Sequence, residues 1–215
     1  MVIREKYEGE LKALIEDLFE LGKEVYNMIE QSVSVLSDED KKNARALIAY
    51  DSKINKMEYD INEKVVMLIT KQQPMATDLR VMISALKIAS ELERIADNST
   101  NIAQIRKRVI ITDYFILTRL KTMGKLAMLM LKDLENAIRN KDILLIKEII
   151  ERDTDIDDLY REISNTTYLI DDDPFISTQA HLAARYLERI GDHIKNISES
   201  CYYYITGEHY ESIEK

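Results

Sequence analysis

The segment LERIADNSTNI, residues 92–102, returns as LERIGDHIKNI at residues 187–197, with 7 of 11 positions identical. Unrelated segments of this length share about one position, so the match marks an internal duplication. Working outward, an offset of 102 pairs Leu18 with Leu120, Met28 with Met130, Asp40 with Asp142, Asp51 with Asp153 and Ile54 with Ile156. The offset falls to 100 at Pro74 and Pro174, and to 95 at the two quoted segments. The second copy has therefore lost seven residues across a proline-marked turn. Seven residues are two helical turns, so side chains keep their facing.

Five Gly and two Pro among 215 residues, with 46% apolar side chains, give the composition of long, rarely interrupted helices with enough apolar surface for a core. The expectation is an all-α protein of six long antiparallel helices, arranged as two tandem three-helix bundles over residues 1–110 and 111–215. Breaks are expected near residues 36–40, 71–75, 109–113, 140–142 and 171–174. Ser37, Thr112 and Asp173 are suited to N-caps, and Pro74 and Pro174 to the first turn of each third helix. A formal charge of -9 with interleaved bases argues against nucleic-acid binding. Cys201 is alone, which fits a reducing compartment. With no apolar run near the roughly 20 residues of a membrane span, and no signal-peptide core, a cytoplasmic protein is expected, one that meets membranes only through partners.

Positions 47, 51, 54, 58, 61, 65 and 68 step by four and three and read Leu, Asp, Ile, Glu, Ile, Val, Leu. Asp51 and Glu58 thus interrupt an apolar seam. The second copy reads Ile149, Asp153, Ile156, Tyr160, Ile163, with Asp157 one turn beyond the shared Asp, as Asn55 is in the first. In the third helices Glu93, Asp97 and Asn101 climb one side at four-residue steps, and Glu188, Asp192 and Asn196 repeat them. Like charges at this spacing cost about 0.2–0.5 kcal/mol even when exposed, and more near a core. A cation is needed. Arg94 and Arg189 point about 100° away around the helix, so internal neutralisation calls for partners from other helices. A metal drawn in by Asp51 with Glu93 and Asp97, and by Asp153 with Glu188 and Asp192, is the stronger expectation. Oxygen donors suit Mg, Ca, Mn or Fe, and leave Zn open. One acidic pair would mean little among 39 acids; duplication and a matching Asp on a second helix carry the argument. His181 is expected to pack rather than ligate, and His193 to point elsewhere.

The two LERI[AG]D-x-x-x-NI copies, the QQPMATDLR run at residues 72–80 and the duplicated three-helix layout together resemble the PhoU family of phosphate-uptake regulators, over nearly the whole chain. The resemblance implies multinuclear metal clusters of iron or zinc on the E/D-x-x-x-D motifs. By position the ligands would be Asp51, Glu93 and Asp97, and Asp153, Glu188 and Asp192, joined by Asn101 and Asn196. It further implies a homodimeric, non-enzymatic adaptor in the cytoplasm. Its partners would be the ATPase subunit of a phosphate ABC transporter and a sensor histidine kinase, and it would restrain uptake and the starvation response when phosphate is plentiful. Two departures, PFISTQA for PMATDLR and Tyr160 for Glu58, suggest that the two sites differ.

Two other readings compete. An accessory protein of an ion-coupled phosphate transporter would carry the same features. A ferritin-like carboxylate-bridged metal protein needs a histidine three residues after a ligand glutamate, and none of the three His is so placed. No glycine-rich phosphate loop or Cys/His nucleophile arrangement points to an enzyme. The aromatic segment CYYYITGEHY, residues 201–210, is expected to pack the end of the last helix rather than form a docking surface.

Overall fold

Apolar residues three and four apart leave each segment one face to bury, and six helices meet that demand. They are α1 (Val2–Val35), α2 (Lys42–Gln72), α3 (Ala76–Arg108), α4 (Tyr114–Asn140), α5 (Ile143–Thr166) and α6 (Pro174–Thr206). The computed structural model describes residues 2–72, 74–166 and 173–211, apart from the side chains of residues 2–6 and 72. Among the described residues there is no strand, and each copy of the repeat supplies three helices. At 33 residues, α3 and α6 each extend about 50 Å. No helix among the described residues is long and apolar enough to cross a membrane.

The breaks fall where expected, although residue 73 and the stretch 167–172 lie outside the described residues. The caps partly differ. Asp113, not Thr112, caps α4, accepting from the Ile116 N–H at 2.8 Å. Ser37 sits in the α1–α2 turn, and Asp40 instead accepts from the Lys42 N–H at 2.9 Å. A carboxylate is the stronger acceptor for the orphan donors of a helix start and also meets its positive dipole end, which is why acids displace the neighbouring hydroxyls. Asp173 caps α6 as expected, accepting from the Phe175 N–H at 2.8 Å, with Pro174 at the first helical position. Pro74 lies ahead of α3, before the extended Met75.

α2 packs on α1 and α3, and α5 packs on α4 and α6; α3 against α6 and α1 against α4 join the copies. Their buried side chains form one continuous apolar cluster, running through Leu14, Ile95, Leu120 and Ile194. Gly124 permits the approach of α1 to α4, since a Cβ there would stand 2.7 Å from Val33 Cγ2. Arg106, 3% exposed, closes the end of the first copy by donating to the carbonyls of Asp38 and Glu39 in the α1–α2 turn. Nearby, Lys41 Nζ donates to the Lys107 carbonyl at 2.7 Å.

Candidate metal centre

The four-three seam of α2 turns Asp51 and Glu58 toward α3, whose own acids, Glu93 and Asp97, face back. Thr100 Oγ1 donates to Asp51 Oδ1 at 3.1 Å, tying the two helices, and Asn55 Nδ2 donates to Asp51 Oδ2 at 3.4 Å. Burial pushes the Glu93 carboxyl above its usual range, and repulsion from Asp97, Glu58 and Asp51 adds to this. Asp97 reaches solvent, yet partial desolvation and then Asp51 push it up as well. Asn101 lies half-buried one turn further along.

The equivalent groove of the second copy lies between α5 and α6 and holds Asp153, Asp157, Glu188 and Asp192. Here two cations enter. Lys195 Nζ donates to Asp153 Oδ2 at 3.3 Å, and Arg185 Nη1 to Glu188 Oε1 at 2.5 Å. Burial raises the Asp153 carboxyl, Lys195 works against that, and Asp157 and Asp192 add to it. Glu188 is raised by burial and by Asp192, with Arg185 opposing. Among the described residues, Asp153 Oδ1, on a residue only 2% exposed, and Glu188 Oε2 are buried without a hydrogen-bond partner. Gly191 makes the room, because a Cβ there would stand 2.8 Å from Asp153 Oδ1. Buried orphan carboxylate oxygens are costly, and an oxygen-preferring cation is the natural group to satisfy them.

Aligned at the 95-residue offset, Thr100 corresponds to Lys195 and Ser90 to Arg185. Where the first copy has Glu58, the second has Tyr160, with the Arg185 guanidinium 5.6 Å from its ring centroid. The second groove thus has cations hydrogen-bonded to its acids, whereas in the first Arg94 opposes the rise of Glu93 only through its charge. Arg94 lies 3.6 Å from Glu91, and among the described residues the cations hydrogen-bonded to the clustered acids are Lys195, the partner expected from another helix, and Arg185, which shares α6 with Glu188. Among the described residues, no group of three or more His, Cys, Asp or Glu side chains stands ready-arranged to hold a metal ion. The clusters concentrate negative charge without forming a finished cage.

Asn196 leaves the ladder expected of it. Its Nδ2 donates to Glu91 Oε2 across the seam between copies at 3.1 Å, beside His193 Nδ1 at 2.7 Å from the same oxygen. Burial pushes the Glu91 carboxyl up, but these two bonds and Arg94 outweigh it, so the net shift is downward. His181 packs on Tyr160, with ring centroids 5.6 Å apart. In the terminal aromatic segment Tyr203 stacks on His209 and Tyr202 meets Tyr210 edge-on. Glu58 and Asp157 belong to the clusters although the ligand set by resemblance omits them; the seam position of Glu58, and the place of Asp157 one turn beyond Asp153, were the signal. Both bases were missed: Lys195 because its acid, Asp153, is on another helix and leaves no spacing pattern along one, and Arg185 although it stands three residues before Glu188 on α6, a spacing that was there to be read.

A family model described as the PhoU domain matches residues 18–105 and again 120–201, one match in each copy. The phosphate-specific transport system accessory protein PhoU homolog of Rhizobium meliloti is 34% identical over 214 residues, covering 95% of this chain and 89% of its own. The corresponding Escherichia coli protein is 29% identical and covers 97% of this chain and 88% of its own. Among solved structures, the phosphate transport system regulatory protein PhoU from Streptococcus pneumoniae superposes with a TM-score of 0.86 at 28% identity, covering 95% of this chain and 99% of that one. PhoU from Pseudomonas aeruginosa gives 0.85 at 28% identity, over 94% of this chain and 100% of that one. A twice-matched domain, full-length relatives and a shared six-helix architecture lead to one conclusion: this chain belongs to the PhoU family.

Proposed function

We propose that this protein is a metal-binding, non-enzymatic regulator of phosphate uptake, working in the cytoplasm as an adaptor between the ATPase of a phosphate transporter and a sensor histidine kinase. The family supports the phosphate-transport setting. The observation that carries the metal reading is the pair of buried, unpartnered oxygens, Asp153 Oδ1 and Glu188 Oε2, inside a duplicated acid cluster. Asp51, Glu93 and Asp97, with Glu58 and Asn101 beside them, would hold metal in the first copy; Asp153, Glu188 and Asp192, with Asp157, would do so in the second. Bound iron, zinc, manganese, magnesium or calcium would neutralise these acids and fasten α2 to α3 and α5 to α6, stiffening the long faces on which a transporter, a kinase or a second copy of the chain would rest.

Two measurements test this. Elemental analysis of protein never exposed to chelator should find stoichiometric metal, and Glu93→Ala with Asp97→Ala should lower it by the share of one site; metal-free protein would sink the metal reading. Affinity purification from native membrane extract should recover a phosphate-transporter ATPase or a sensor kinase. Recovery of an ion-coupled phosphate transporter in their place would reassign the partner.

A further inference from the structure

Where α1, α3, α4 and α6 meet at the seam between copies, they leave an elongated apolar cavity of about 290 Å³, near the lower end of the roughly 300–1,000 Å³ usual for small-molecule sites. Close-packed cores do not ordinarily keep such a space, and two residues show that this one is built. Gly22 lies in the middle of α1, where glycine costs about 1 kcal/mol relative to alanine. A Cβ there would meet nothing within 4 Å, so no close helix contact demands the glycine, and its missing side chain contributes to the opening. The second residue is Ser84. Three other buried serines, Ser32, Ser99 and Ser198, each donate to a carbonyl three or four residues back. Ser84 Oγ does not: the residue, 2% exposed, is part of the cavity lining, and its Oγ has no partner among the described residues.

The cavity has polar features at both ends. Ser84 lies at one, with Cys201 and Tyr204 of α6. Toward the other, Lys23 of α1 and Lys132 of α4 line the edge, both exposed. Glu135, the acid on this lining, is already paired with Arg139 Nε at 2.9 Å. Lys23 stands 4.0 Å from Glu20, a loose exposed pair, and no partner is seen for Lys132 among the described residues. Between Ser84 and Leu92 the lining helix rises about 12 Å. We propose that this cavity binds a linear, largely apolar monocarboxylate, its head between Lys23 and Lys132 and a hydrogen-bonding group at its far end on Ser84 Oγ. The site is independent of the acid clusters and of metal.

Isothermal titration of the full chain with decanoate, ω-hydroxydecanoate and decanol tests this. Expected are one-to-one saturable binding of both acids, the hydroxy acid tighter, and weaker binding of decanol. Gly22→Leu should fill the space and weaken the acids by about tenfold or more, a loss of about 1.4 kcal/mol, with the helical circular dichroism retained. Ser84→Ala should erase the advantage of the hydroxy acid, and the surface change Lys132→Ala should weaken decanoate but not decanol. No saturable binding by the wild type, equal binding of decanol and decanoate, or acid binding untouched by both Gly22→Leu and Lys132→Ala would each overturn the proposal. Such a result would leave the cavity to the apolar side chains of a protein partner.

Discussion

Thr100 and Lys195 occupy one place in the two copies, and the exchange of a hydroxyl for an ammonium sets how much each acid cluster needs an external cation. A unit charge a few ångströms from a carboxylate is worth up to about 4 kcal/mol near a protein surface, so the exchange should be measurable. Lys195→Thr is expected to raise Mn²⁺ affinity in the second copy by roughly tenfold, and Thr100→Lys to depress it in the first by a similar factor. Calorimetric titration of each variant checks this; unchanged affinities would show that neither residue faces the ion. Cys201 illustrates a different residue-level effect. Complete burial pushes its thiol up from an ordinary 9.0 to about 12, so it stays a neutral thiol at neutral pH. Alkylation by iodoacetamide should therefore require unfolding, and rapid modification of native protein would contradict the burial. The same shift implies that folding stability falls as pH rises from about 9 toward 12, because the unfolded thiol loses its proton first. That alkaline loss should be smaller in Cys201→Ala, as read by thermal melts across the pH range.

At the scale of elements, a half-buried polar tie between copies joins α3 to α6 through Glu91, which receives both His193 Nδ1 and Asn196 Nδ2. His193 is buried, and its other nitrogen, Nε2, has no partner among the described residues. Removing Glu91 would strand His193 entirely, so Glu91→Ala is expected to cost about 1–3 kcal/mol. Urea unfolding measures that cost, and a change below a few tenths of a kcal/mol would mean that water replaces the carboxylate freely. This tie was not legible beforehand. Glu91 stands where the second copy has Tyr186, so comparing the copies drew attention away from it, and His193 and Asn196 read as one irrelevant residue and one ligand. The acid ladders on α3 and α6 were legible, because Glu and Asp four residues apart share a helix side whatever surrounds the helix.

At the scale of the whole molecule, the duplication produces two three-helix units that do not have separate cores. α3 packs along α6 and α1 along α4, and the buried apolar cluster is continuous through both pairs. A fragment of residues 1–110 alone would expose those faces of α1 and α3, and is expected to aggregate or to melt without a cooperative transition. Mixing it with residues 111–215 should restore the native circular dichroism and a single melt. A cooperative, monomeric 1–110 fragment would show that each copy is self-sufficient. The sequence by itself determined the helices, their number, the duplication and the two acid ladders, because each depends on spacing along one helix or on likeness between segments. Only the tertiary structure decided that Lys195 meets Asp153, that Asn196 crosses to Glu91, and that a cavity opens beside Gly22 and Ser84. Those depend on how helices distant in the chain approach one another, and no periodicity along a single helix encodes that distance.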